Sequence, residues 1–288
     1  MRELFSARIF QGGTHTYYGS EFGGSGDGGK GGLPMNYEEL VTTAADVGYL
    51  LVVNGAEIYR VEESLQRIFR AYGVETGEVF AIPTFLNVSV DTPDGRPVTR
   101  IRRVPARTMN LDRVEQANDL CRRICRDTPD FRYIRRELVR IGAREEFPFS
   151  AQVAAYALVG FFFTLFYGGN LADAAVALLG GAAVRLVLRF MERGRVNQFF
   201  TYVAASFTAA AIALVGAHWF IQLNYDKIII GALMNLVPGI AITNFMRDII
   251  AGDLIAGLLR LTESLLIAAA IAIGAGIALT TTRMIWGV

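Results

Sequence analysis

Apolar residues recur at helical spacing from 36 to 72. Leu40, Ala44, Val47 and Leu51 form a stripe that Ile58, Val61, Leu65, Ile68 and Phe69 continue. Asn54-Gly55 interrupts it, which leaves two helices or one kinked helix, and Gly73 ends it as a C-cap. The period then changes to two. Strand-like runs follow at 78–82, 85–91 and 98–104, with Pro93-Asp94-Gly95-Arg96-Pro97 as the turn between the last two. Helical spacing then returns twice. Asn110 or Asp112 can cap a helix to Asp127, with Val114, Ala117, Leu120, Cys121 and Ile124 inward. Thr128-Pro129-Asp130 opens another that runs to Gly142. This order predicts a small α+β domain over 35–146.

From 147 to 288 the pattern is of another kind. Five apolar stretches stand at 149–167, 171–190, 199–217, 227–246 and 261–282. Each is near the roughly 20 residues that cross a bilayer as a helix. The fold class expected is an α-helical polytopic membrane protein of about five spans behind an N-terminal α+β domain. Gly168-Gly169-Asn170 reads as a tight turn, and Arg185 as a side chain near a helix end that snorkels. In the last span Gly274, Gly276 and Ala278 offer a small-residue face for close helix packing.

The fourth span is the informative one. Asn235 precedes a break at Pro238-Gly239, and Thr243, Asn244, Arg247, Asp248, Gly252, Asp253, Arg260 and Glu263 follow it. A charge at membrane depth costs about 2.5–3.5 kcal/mol or more, so such charges persist mainly where they face a bundle interior or a water-filled path. A helix broken beside polar residues is how transporters build solute sites. These residues are therefore the candidate transport path or gate. The competing reading is a set of charges resting at a helix end among lipid headgroups. On one ideal helix over 243–263, Thr243, Asn244, Arg247 and Asp248 share one side, and Asp253, Arg260 and Glu263 face the other. A bend near Gly252-Asp253 resolves this. The stretch 249–259 is too short to cross and fits a re-entrant or interfacial segment.

Charge divides the chain in the same way. Residues 35–95 carry three arginines against ten carboxylates, and residues 96–144 carry fourteen arginines against six. An arginine-rich stretch can signal nucleic acid, but no aromatic stacking platform accompanies this one and it abuts a span. Juxtamembrane arginines facing the cytoplasmic leaflet are the better reading, so the partner is a lipid bilayer and not nucleic acid. Arg189, Arg193 and Arg195 then fall inside, the loop 218–226 outside, and Arg247 and Arg260 inside. The α+β domain is expected in the cytoplasm and the C-terminus outside. Residues 1–34 hold ten glycines and no apolar periodicity, so they read as a disordered leader ahead of a true start at Met35.

Catalytic chemistry is not apparent. His15 and His218 are isolated, and Cys121 and Cys125 are two thiols four apart, too few for zinc. No nucleophile elbow or phosphate-binding glycine loop is present. No catalytic residue, metal site or cofactor is expected. The α+β domain does carry a polar cluster at Asn54-Gly55-Ala56-Glu57-Ile58-Tyr59-Arg60-Val61-Glu62-Glu63. Glu57 and Arg60 are i, i+3 neighbours. On a solvated face such a pair contributes only about 0.2–0.5 kcal/mol.

Three phrases in the α+β domain resemble the bacterial threonine/serine exporter family: Asn54 to Glu62, Val79-Phe80-Ala81-Ile82-Pro83-Thr84, and Val98-Thr99-Arg100-Ile101-Arg102-Arg103. So does Leu236-Val237-Pro238-Gly239 with Arg247-Asp248, Gly252-Asp253, Gly257, Arg260 and Glu263 downstream. The likeness runs over nearly everything from Met35 on. It departs at Ile58, where the family often has threonine. The resemblance implies Asn54, Gly55, Glu57, Arg60, Glu62, Thr84 and Arg100 as a functional cluster of the α+β domain. It implies ion-driven export of small carboxylate-bearing solutes, threonine and serine or a succinate-like dicarboxylate, across the bacterial inner membrane. It also implies the larger subunit of a split, two-component form, with a second small membrane subunit as partner. The alternatives are a membrane-embedded hydrolase and a regulatory or scaffold subunit.

Overall fold

The computed structural model describes residues 35–220 and 222–286, and the expected leader at 1–34 lies outside them. Two compact units divide the chain. Of the described residues, the first gathers those up to Glu145 together with Arg247–Ala256, and the second holds those of Glu146–Met246 and those from Gly257 on.

The first unit is built around α1, Tyr37–Val53. Asn36 caps it by accepting from the Glu39 N–H at 3.1 Å, and Glu38 and Glu39 lie where the helix dipole favours carboxylates. Leu40, Val41, Ala44, Ala45, Val47, Leu50, Leu51 and Val52 are all buried, so this helix is apolar on nearly every side and forms the centre of the unit. Asn54-Gly55 separates it from α2, Ile58–Ala71; Gly55 takes φ +89°, which an L side chain rarely adopts. Of the two alternatives read from the sequence, two helices is the outcome.

The sheet is an antiparallel meander of β1 Gly77–Ile82, β2 Phe85–Asp91 and β3 Pro97–Arg103, in the order β1-β2-β3. Val79 pairs Val88, and Val90 pairs Val98. On the central strand Leu86, Val88 and Val90 are fully buried while their neighbours alternate outward. Helices α3, Leu111–Asp127, and α4, Phe131–Gly142, close the unit. Asn110 and Asp130 are their caps. Ala117, Leu120, Cys121 and Ile124 of α3, and Ile134, Leu138 and Ile141 of α4, reach the core. Burial pushes the Cys121 thiol up to about 12, which suits a packing residue and not a nucleophile. Ala256, from far down the chain, belongs to the same core.

Among the described residues of the second unit four helices are long and apolar enough to cross a membrane: α5 Phe149–Phe166, α6 Leu171–Arg193, α7 Gln198–Trp219 and α10 Leu254–Trp286. Of the five spans expected, four are unbroken helices and the fourth is the broken one, as the Pro238-Gly239 break predicts. Where the apolar run 227–246 predicts a span, the chain forms two short helices, α8 Tyr225–Leu233 and α9 Gly239–Ala251. Pro238 explains the break: it has no N–H to give and disfavours helix in the residue before it. The stretch 249–259, expected as a re-entrant or interfacial segment, takes in the end of α9, a turn at Gly252-Asp253 and the start of the last helix. Gly252 ends α9 at φ +99°, and the helix resumes at Leu254, so the last span is 33 residues and not the 22 of the apolar run.

Small residues let these helices approach. A Cβ on Gly160 would meet the Ala177 carbonyl, and one on Gly231 would meet Thr164 Oγ1 and its backbone nitrogen. Gly274 is pressed in the same way against Ser206, whereas Gly276 faces open space, so only part of the expected small-residue face is used. Asn170 and Asp173 form a capping box at the start of α6. Asp173 is fully buried and also accepts from the Asn224 N–H at 2.8 Å, which ties the start of α6 to the start of α8.

Candidate functional site

The polar cluster of the first unit forms where α2 begins. Asn54, 1% exposed, closes α1 by donating through Nδ2 to the Leu50 carbonyl at 2.7 Å. The left-handed Gly55 turns the chain, and Glu57 stands at the N-cap of α2 in extended conformation. Its side chain does not cap the helix. It reaches instead to two arginines: Oε1 accepts from Arg247 Nη1 at 2.5 Å, and Oε2 lies 2.5 Å from Arg60 Nε in an ion pair whose angle makes no hydrogen bond.

Asp248 supplies the acceptor that Glu57 withholds. Its Oδ1 takes the Ile58 N–H at 3.3 Å, and its side chain is completely buried. Two carboxylates therefore sit at the N-terminus of α2, where unsatisfied N–H groups and the helix dipole favour negative charge. Two arginines balance them. Both arginines are more than half exposed, at 57% for Arg60 and 53% for Arg247, so their heads can leave without the carboxylates moving.

The segment that delivers Arg247 and Asp248 is held by its own turn. The Asp253 N–H donates to the Asp248 carbonyl at 2.9 Å and the Gly252 N–H to the Ile249 carbonyl at 3.1 Å. With Gly252 left-handed between them this is a Schellman closure. Two more carboxyls join the group. Glu62 Oε1 accepts from the Ala81 N–H at 2.7 Å and so joins α2 to β1. Burial raises the Glu62 carboxyl, its bond to Ala81 offsets part of that, and the charge of Asp253 raises it further. Burial raises the Asp253 carboxyl as well. Among the described residues no group of three His, Cys, Asp or Glu is placed to hold a metal ion.

A family model described as "Putative threonine/serine exporter" matches residues 42–282 of this chain. The chain belongs to that family. No curated protein matches it, and no solved structure does.

Within the exporter family's matched region, the structure joins residues that the sequence presents as two groups. Glu57 meets Arg60 and Arg247, Asp248 caps the helix that Glu57 precedes, and the charge of Asp253 reaches Glu62. Others serve elsewhere. Arg100 donates to Thr42 Oγ1 at 3.0 Å and so fastens β3 to α1, while the Thr84 carbonyl receives the Val104 N–H at 2.8 Å. Among the described residues neither bonds to the Glu57 group.

The rest of the expected path lies in the second unit. Asn235, at the break, donates to the Tyr156 carbonyl at 3.0 Å. The Pro238 carbonyl takes the Ile242 N–H, and Thr243 bonds back to the Gly239 carbonyl at 3.1 Å. Asn244 and Arg260 are buried and Glu263 is exposed. Of the two readings open for Glu57, a solvated face or a functional or interface role, the solvated face does not hold: Glu57 is 8% exposed, because Arg247 and Asp248 close over the start of α2. No local periodicity could have shown this, since the partners lie 190 positions apart.

Proposed function

We propose that this threonine/serine exporter family member is a subunit of a secondary exporter in the bacterial inner membrane. It moves threonine, serine or a similarly small carboxylate solute outward at the expense of an ion gradient. The family match over 42–282, which takes in both units, carries this reading. The polar break at Asn235 to Gly239 supports a solute path, because freed backbone groups at a helix break hold small polar solutes. A proton is the favoured coupling ion. Asp253 is a carboxyl raised by burial at the turn between α9 and α10, and such a group takes up a proton more readily than a solvated one. The first unit lies in the cytoplasm on this reading, because its fourteen arginines over 96–144 precede the first span. A second membrane chain completes the path, since transporter bundles of this kind pair two repeats.

Gradient-driven efflux of labelled threonine from cells is the test. Asp253→Asn should abolish it while the protein stays inserted and abundant, and full activity in that variant removes Asp253 from the coupling role. A cysteine at Asp94 should resist an impermeant label in intact cells; labelling would place the domain outside. Strong flux by the purified single chain would remove the need for a partner.

A further inference from the structure

One ionised side chain inside the second unit has no part in the foregoing. Arg185 is 7% exposed although it lies on α6, two turns before the helix ends at Arg193. Its guanidinium reaches along α6 toward Glu192 and the first turn of α5, flanked by the rings of Phe149 and Tyr156 at 5.4 and 5.9 Å. Nε donates to Gln152 Oε1 at 2.8 Å, and Nη1 donates to Glu192 Oε1 at 3.2 Å. Gln152 is itself oriented, because its Nε2 donates to the Phe147 carbonyl at 2.7 Å. Nη2 donates to no acceptor among the described residues. The backbone of Tyr156 is the one Asn235 grips at the break between α8 and α9, so the arginine and the break share a wall.

A guanidinium in this setting needs an anion. The only carboxylate it touches among the described residues, Glu192, is 53% exposed and one helix heptad away. That pair leaves half of the arginine's fork unused. A planar fork takes a carboxylate through two parallel N–H groups, and Nη1 and Nη2 form such an edge. We infer that Arg185 binds the carboxylate of the transported solute, and that Glu192 is its internal competitor. The inference rests on the exporter reading and names the residue that recognises the solute's anionic end. A solute carboxylate entering beside Tyr156 takes the Nη1–Nη2 edge and displaces Glu192. When Glu192 returns, the solute is freed. Gln152 holds Nε throughout and keeps the fork aimed.

The purified full chain in lipid nanodiscs, titrated with L-threonine, L-serine, succinate and L-threoninol, tests this. Threoninol has no carboxylate and should not bind. Arg185→Gln should weaken threonine binding by about a hundredfold or more, as for a desolvated charge pair. Arg185→Lys keeps the charge and loses the fork, and should weaken it about tenfold. Glu192→Gln should tighten binding several-fold, whereas a merely structural pair gives no tightening when Glu192 is neutralised. Arg185→Lys and Glu192→Gln keep the test alive if Arg185→Gln fails to fold. Wild-type affinity in both of these variants, or threoninol binding as well as threonine, overturns the inference alone. A wild type that drives threonine efflux from cells but shows no carboxylate binding overturns the inference alone; loss of both efflux and binding overturns the exporter reading with it.

Discussion

Asp248 accepts a hydrogen bond from the Ile58 N–H at 3.3 Å across 190 positions of sequence. It acts as a helix cap supplied from another part of the chain. Asp248→Ala removes that acceptor and should lower stability by about 1–2 kcal/mol, as cap losses do. Asp248→Asn keeps an acceptor and should cost clearly less. Chemical denaturation of the full chain, followed by a probe in the first unit, separates the two. Equal losses would mean that the charge and not the bond matters.

Glu57 and Arg247 should be energetically coupled. Glu57 is buried and Arg247 half-exposed, so the pair lies between a surface pair near zero and a buried one worth several kcal/mol; Glu57→Gln should cost about 1–2 kcal/mol. A double-mutant cycle with Arg247→Gln should return a coupling of about 0.5–3 kcal/mol. Export by Glu57→Gln at normal abundance should also fall. Unchanged export would leave the cluster a structural latch.

Acid should favour the fold through Glu62. Its folded carboxyl is raised by burial and by Asp253, so the folded state holds a proton that the unfolded state has released. That contribution is fully present below the ordinary carboxylate range and is lost as pH rises through the raised folded value. Glu62→Gln keeps an oxygen for the Ala81 N–H and removes the titration. Stability measured against pH should flatten over that window and be equal or higher at neutral pH. A variant as steep as the wild type would assign the slope to other carboxyls.

Gly274 and Gly276 are two residues apart and should behave oppositely. A Cβ on Gly274 meets Ser206 Oγ and the backbone of Val203 and Phe207, which cannot give way, while one on Gly276 meets nothing within 4 Å. Gly274→Ala should lower the thermal midpoint in detergent by an amount matching about 1–3 kcal/mol of overpacking. Gly276→Ala should be neutral or slightly stabilising, since alanine favours helix over glycine by about 0.8–1.0 kcal/mol.

The sequence reads well where a local pattern decides the outcome. The apolar stripes of α1 to α4, the Asn110 cap and the turn at 93–97 all follow from spacing and short-range chemistry. The break at Pro238 and the bend at Gly252 do too, because proline and glycine act on their own neighbours. Arg185 is the opposite case. Its distance from the helix end suggests snorkelling, and only the packing of α5 beside α6 brings Gln152 to its Nε. Asn170 and Asp173 have the spacing of a capping box, yet Asn224 is needed to explain why Asp173 is wholly buried. Arg247 and Asp248 carry no local sign that their partners are Glu57 and Ile58. Contacts between residues so far apart depend on the path of the chain, which periodicity does not encode.

That path has a temporal side. Residues 36–145 leave the ribosome long before Arg247–Ala256 exists, although Asp248 and Ala256 complete their unit. About 100 residues must be synthesised in between, which at about 5–20 residues per second is a wait of roughly 5–20 s. For that interval the first N–H of α2 has no cap from Asp248 and the core has a gap where Ala256 will go. The nascent domain is therefore an unfinished particle during the very period in which the first membrane helices are being threaded into the bilayer.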